Sequence, residues 1–115
     1  MPREAVARRY YELVDAGDYD ALVALFSDDV TYERPGQPAI EGKADLRAFY
    51  EEGRPLSDGG HELHSVVVDG DTVAVRGTFR GKQDGDPVEI GFADFHVFAD
   101  GKITRRYTYT DRDTV

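Results

Sequence analysis

Residues 8–36 read RRYYELVDAGDYDALVALFSDDVTYERPG. Two amphipathic helices and a strand are written into this stretch. Val6, Tyr10, Leu13 and Val14 recur at helical spacing up to Gly17, and Pro2 stands where a first helical turn tolerates proline. Gly17 suits the left-handed residue that closes a helix. Asp18 can cap the next helix, whose face carries Tyr19, Leu22, Val23 and Phe26. Helices are expected near residues 3–16 and 18–26. Ser27-Asp28-Asp29 breaks the second, and a short strand, Val30 to Arg34, ends at Pro35-Gly36. Alternation through Val30, Tyr32 and Arg34 puts a guanidinium on the face that buries apolar side chains. A charge there is costly unless it is paired or functional.

Downstream, Gly42 to Gly53 predicts a third helix near 43–52, with Leu46, Phe49 and Tyr50 inward. From His61 the period changes to two. His61–Val68, Thr72–Arg80, Val88–Phe98 and Ile103–Thr110 are strand candidates, separated by hairpin-like turns rich in Asp and Gly. Helices first and an antiparallel meander afterwards predict an α+β fold, three helices packed on one face of a strongly curved antiparallel sheet. Such helices leave part of a long sheet uncovered, so a cone with an interior pocket for a small ligand is expected.

The 115 residues allow one domain, 1–115, with seven Tyr and six Phe to fill its core. No apolar run has the length of a membrane span and no signal-peptide layout opens the chain, so a soluble, cytoplasmic protein is expected. The absence of cysteine excludes a disulfide frame, a thiolate zinc site and a cysteine nucleophile. A net charge of −9 argues against nucleic acid and anionic membranes as partners. No His, Asp and Glu set has metal-ligand spacing on one element, so neither a metal nor another cofactor is expected.

Polar groups on core-facing positions are the candidate site. Tyr10 lies on the first helix, Tyr50 on the third, and Arg34 ends the first strand. Asp94 and His96 share a face with Ile90, Phe92 and Phe98. A buried tyrosine that finds one acceptor is ordinary, as is a hydrogen-bonded core histidine. An aspartate among phenylalanines needs a partner or a function. Arg34 is the expected partner of Asp94, directly or through one water.

The run from Arg8 to Gly42, with A-F-Y at 48–50 and the later A-D-F-H-V-F and D-G-K-I, resembles the bacterial ketosteroid isomerases. More broadly it is similar to the NTF2-like, or SnoaL-like, superfamily of cone-shaped α+β domains. The resemblance implies an oxyanion-hole tyrosine at Tyr10, an oxyanion-hole aspartic acid at Asp94, and in Tyr50 the tyrosine bonded to the first. It puts Arg34 where the isomerases carry their carboxylate base. Arginine cannot shuttle a proton at working pH, and a guanidinium nearby keeps Asp94 ionised, so efficient steroid isomerisation is not expected. Glu33, the nearest other carboxylate, has the opposite parity. In the last strand the resemblance puts Arg106 and Thr108 inside, whereas local alternation favours Ile103, Tyr107 and Tyr109.

These residues support an enzyme acting on a small, partly apolar substrate by isomerase, cyclase, hydrolase or dehydratase chemistry. Tyr10, Asp94 and His96 would be catalytic, with Arg34, Tyr50, Tyr32, Phe92 and Arg106 binding substrate. A non-catalytic ligand-binding protein and a dimeric structural domain with a filled cone are the alternatives. Pocket size separates them: several hundred Å³ with Asp94 and His96 exposed inside favours ligand chemistry. A homodimer is expected through the outer sheet face, which carries Ala93, Phe95, Val97, Tyr107 and Tyr109.

Overall fold

The computed structural model describes residues 2–54 and 56–111. Helix α1 (Arg3–Ala16) starts after Pro2, which takes the cap position. It ends at Gly17, whose φ of 71° lies in the left-handed region that glycine tolerates. The Gly17 N–H donates to the Val14 carbonyl and the Asp18 N–H to that of Leu13, the paired bonds of a Schellman stop. Asp18 then caps α2 (Tyr19–Val23) by accepting from the Ala21 N–H at 3.3 Å. Helix α2 is shorter than its periodicity predicts, because Phe26 already begins strand β1 (Phe26–Glu33). The predicted break at Ser27-Asp28-Asp29 is an irregularity inside that strand, where its register against β6 shifts between Phe26 and Thr31.

A two-residue strand, β2 (Ile40–Glu41), precedes α3 (Lys43–Ala48), which continues as a π-helical turn over Phe49–Gly53. Four long strands follow: β3 (Leu56–Asp69), β4 (Thr72–Gln83), β5 (Asp86–Ala99) and β6 (Lys102–Thr110). The curved sheet is six-stranded in the order β2-β1-β6-β5-β4-β3, and the helices pack on its inner face. It is antiparallel except for β1, which pairs parallel with β6. This α+β cone is the predicted architecture, with two strands more than the meander.

Two features aim the interior side chains. Gly77 faces Phe92 across the β4–β5 ladder, and a Cβ there would lie 2.7 Å from the Phe92 ring and 2.3 Å from the Glu62 carbonyl. Its missing side chain makes room for Phe92 to stack on Tyr11, 5.8 Å between ring centroids. The second is a bulge in β6: Val97 pairs with Arg105 but Phe98 with Ile103, so Thr104 is an extra residue. A bulge reverses the parity of a strand. Ile103 is therefore buried before it, and Arg106 and Thr108 after it. Both readings of the last strand are true of different halves, and Tyr109 is exposed.

Candidate functional site

Asp94 is the centre of the interior. It is 2% exposed, and its carboxylate accepts from Arg106 Nη2 at 2.8 Å, Tyr11 Oη at 2.6 Å and Thr108 Oγ1 at 2.6 Å. Thr108 uses its proton on Asp94, so the Tyr32 hydroxyl, 3.0 Å away, donates to Thr108 Oγ1. Burial works to raise the Asp94 carboxyl, but Arg106, with His96 and the hydrogen bonds from Thr108 and Tyr11, holds it below the usual carboxylate range. Asp94 is ionised and fully engaged as an acceptor.

Its charge partner is thus Arg106, and the expected Arg34–Asp94 pair is corrected. Arg34 instead lays its guanidinium over the Phe49 ring, 4.0 Å from the centroid, and stands at the rim, where it also lines two neighbouring surface recesses. The correction follows from the β6 bulge, which turns Arg106 inward beneath Asp94. The consequence expected of Arg34, a carboxylate held ionised, is produced by Arg106. Glu33 is exposed.

The Arg106 guanidinium is sandwiched between the rings of Tyr10 and Tyr32, 4.2 and 4.5 Å from their centroids. Burial disfavours its charge, but Asp94 more than compensates and keeps it protonated. Only Nη2 is hydrogen-bonded; Nε and Nη1 are buried without a partner. Two unsatisfied charged donors in a core are expensive.

Tyr10 and Tyr50 share a short hydrogen bond between their hydroxyls. Burial raises both phenols, Tyr50 to about 12, so both are neutral. Tyr11 was not singled out from sequence, yet it and not Tyr10 donates to Asp94. Ala7, Tyr11 and Val14 form a second apolar stripe on α1, which is the signal that could have found it.

His96 does not reach the pocket as expected. It is fully buried, and its Nε2 meets the Tyr11 hydroxyl at 3.0 Å. The Tyr11 proton is committed to Asp94, so His96 Nε2–H donates and Nδ1 carries the bare lone pair. Burial and the Arg106 charge push this imidazole down to about 3. It is a neutral support for Tyr11.

The cavity between these groups is lined by Tyr10, Tyr32, Arg34, Phe49, Tyr50, Arg54, Leu56, His61, Phe79, Ile90, Phe92, Asp94, Arg106, Thr108 and Thr110. It offers about 40 Å³ to the centre of a water molecule, far below the several hundred Å³ that ligand chemistry was expected to need. Aromatic rings fill most of the cone. Two stacks stand on its lining, Arg34 on Phe49 and Arg54 on Phe79 at 5.5 Å. Among the described residues no cluster of three or more His, Asp or Glu could hold a metal ion.

One wall residue was passed over in the sequence. His61 lines the cavity, with Nδ1 2.6 Å from Asp15 Oδ1, and its backbone N–H donates to Asp15 Oδ2 at 2.9 Å. Burial works against the Asp15 carboxylate, but these two bonds hold it below its ordinary range.

A cone of this topology with a polar floor defines a class of small α+β domains, and this chain belongs to it: the model of the SnoaL-like domain family matches residues 7–106. A protein of Kribbella flavida assigned as a ketosteroid isomerase superposes with a TM-score of 0.82 at 26% identity, over 95% of this chain and 77% of that one. The polyketide cyclase assigned in Sinorhizobium meliloti gives 0.76 at 24% identity, over 91% and 94% of the two chains. IdmH of Streptomyces antibioticus, likewise assigned as a polyketide cyclase, gives 0.80 at 21% identity, over 96% and 93%. No helix among the described residues is long and apolar enough to cross a membrane.

Proposed function

We infer that this SnoaL-like domain binds a small, partly apolar organic molecule through one oxygen, carbonyl or carboxylate, and promotes proton-transfer chemistry of the isomerase or cyclase type. The observation that carries this reading is the pair of unsatisfied N–H donors on buried Arg106. Preorganised donors in a dry site stabilise a developing oxyanion without reorganising, which is how such cones accelerate enolisation. The Arg106–Asp94 pair is neutral overall, so the site accepts charge that develops during reaction as readily as charge that arrives with the ligand. Tyr10, Tyr32, Tyr50 and Phe92 supply aromatic walls for an apolar body.

The test is titration calorimetry with 2-naphthoate and with its neutral isostere 2-naphthylmethanol. The carboxylate should bind more tightly by tenfold or more. That preference should vanish in the double variant Arg106→Met/Asp94→Asn, which removes the donors without stranding a charge. Equal affinity for both probes, or none, refutes the reading.

The narrowness of the cavity favours a second reading, in which the filled cone is only a support for an interface on the outer face. Phe95 and Tyr109 are 37% and 59% exposed there and meet edge to face, with Val97 and Tyr107 beside them. We infer a homodimer through this patch under either reading.

A further inference from the structure

The oxyanion reading lacks a base. Asp94 has both oxygens committed and is held ionised below its ordinary range, His96 lies outside the cavity, and arginine does not release its proton. Burial keeps Tyr10 and Tyr50 as neutral phenols. His61 is the remaining cavity residue with a nitrogen suited to the task.

We propose that His61 Nε2 is the proton-transfer base of this cone and that Asp15 is its positioning residue, acting on an enolisable carbonyl compound whose oxygen rests on Arg106. The proposal builds on the oxyanion reading and names the substrate class for it.

The geometry supplies each part. His61 pairs with inward-facing Phe79 on the β3–β4 ladder, so its ring enters the cone, and its side chain is only 8% exposed. It is fixed on three sides by rings, with centroids 5.0 Å away for Phe79, 5.2 Å for Tyr11 and 5.5 Å for Phe92. The ionised Asp15 can only accept, so the Nδ1 contact requires a proton on Nδ1. In the neutral ring this leaves the lone pair on Nε2, for which the described residues supply no hydrogen bond. A carboxylate that fixes the tautomer and orientation of an imidazole, and then faces the imidazolium as its counter-ion, is a general device of acid–base catalysis. The charged and titratable groups around the ring are Asp15 and Tyr11 from α1, Arg54 near Asp15, and Arg106 and Asp94 across the cavity.

The step balances within the site. The Nε2 lone pair takes a proton from the carbon next to the carbonyl. The C–H electrons form the C=C bond of an enolate, and the carbonyl π electrons move to the oxygen, which accepts from one unpartnered N–H of Arg106, that of Nε or of Nη1. The imidazolium then returns its proton to the same carbon or, in a conjugated substrate, to one further along. No other reactant is consumed.

A purely structural clamp between α1 and β3 would use the same two Asp15 bonds, and the experiment separates the two roles. The readout is deuterium incorporation into 1-tetralone in D2O, beside 2-naphthoate binding and a two-bond ¹H–¹⁵N spectrum of the histidines. The native protein should exchange the tetralone α-protons faster than an equal concentration of imidazole, and its His61 should be protonated on Nδ1. His61→Gln should lower exchange by about 10²-fold or more while 2-naphthoate binds as before. Asp15→Asn should lower the exchange rate constant with little change in KM and move the His61 resonances away from the pure Nδ1–H pattern. Exchange no faster than imidazole, exchange unchanged in His61→Gln, or a native spectrum showing His61 protonated on Nε2 would each overturn the proposal. The spectrum is read on the native protein, so it decides even if the variants fail to fold. Failed 2-naphthoate binding in the native protein refutes the oxyanion reading instead.

Discussion

Replacing Arg106 by methionine tests the centre of this interior most directly. The change leaves Asp94 buried without its counter-charge, while its bonds from Thr108 and Tyr11 remain. Both partners are 3% exposed and their closest atoms are 2.8 Å apart. Two unit charges about 4 Å apart attract by about 4 kcal/mol at an effective dielectric of about 20. Removing one member of a buried pair costs about 3–5 kcal/mol in general, so the two figures agree. Small domains hold about 5–15 kcal/mol in all, so Arg106→Met should survive with its urea midpoint sharply lowered. Adding Asp94→Asn should recover about 2–4 kcal/mol of the loss, because the stranded charge is gone.

The pH dependence supplies a sign. In the native protein the folded carboxyl lies below its unfolded value, so its stabilisation is present at neutral pH and is lost as pH falls through the folded pKa. Without Arg106, burial is no longer overcome and the folded carboxyl rises above the unfolded value. Protonation then relieves the variant. The stability gap between Arg106→Met and Arg106→Met/Asp94→Asn, measured by urea unfolding, should therefore close between pH 7 and pH 4. If the two single substitutions add in the double variant, or if the gap ignores pH, the pair is not what holds Asp94 ionised.

Other consequences are as specific. His96, pushed down to about 3 by burial and Arg106, is neutral in the fold and charges on unfolding. Native stability should thus fall by about one proton's slope as pH drops from about 6.5 towards 3, and His96→Gln, which keeps a donor for Tyr11, should flatten that slope in pH-dependent melts. Tyr109→Glu places a charge on the exposed Phe95–Tyr109 patch and should convert a dimer to a monomer in sedimentation equilibrium; a native monomer at micromolar concentration would refute the interface. Turnover of a β,γ-unsaturated ketosteroid should be marginal, and Arg34→Asp should raise it if that position can serve as a base; turnover rivalling dedicated isomerases would refute the assignment.

The stop at Gly17, the cap at Asp18 and the inward face shared by Asp94 and His96 were legible because each rests on local chemistry or an unbroken period. The partner of Asp94 was not. Alternation counted from Ile103 turns Arg106 outward, and only the extra residue at Thr104 reverses it, a feature that no short window of sequence displays. The resemblance put Arg106 inside, but the alternation through Val30, Tyr32 and Arg34 assigned the pairing to Arg34. The Asp15–His61 contact was hidden for a related reason. Its members stand 46 positions apart, and the start of β3 carries a register shift between Ser57 and Gly60 that blurs its period. Strand β2, at two residues, is too short to show a period at all. The third helix read correctly by its apolar face, but a stripe of inward residues does not distinguish an α-helical turn from the π-helical one that carries Phe49 and Tyr50.

The resemblance puts Arg34 where the isomerases carry their carboxylate base, and on that reading the rest of the cone must do something else. An acid on that strand end could remove a proton beside an oxyanion hole made of neutral donors. In this chain the proposed hole is a guanidinium whose charge Asp94 balances, with two of its N–H groups left without a partner. A second carboxylate base close by would be drawn into the same ion pair and lose its basicity, as Asp94 has. A neutral imidazole escapes that capture. It can stand across the cavity from the guanidinium without forming a salt bridge, and the proton it takes from the substrate leaves the opposite charge on the oxygen at Arg106. Asp15, on the far side of the ring, then stabilises the imidazolium without entering the oxyanion site. Placing the buried arginine on Asp94 and the histidine on Asp15 thus separates two carboxylates that would otherwise compete for one cation. On this account Asp15→Asn/His61→Gln should leave 2-naphthoate affinity intact, whereas an aspartate at position 61 should weaken it. His61→Asp would place a second anion in the cavity to compete for Arg106, and calorimetry showing undiminished 2-naphthoate binding in that variant would contradict the separation.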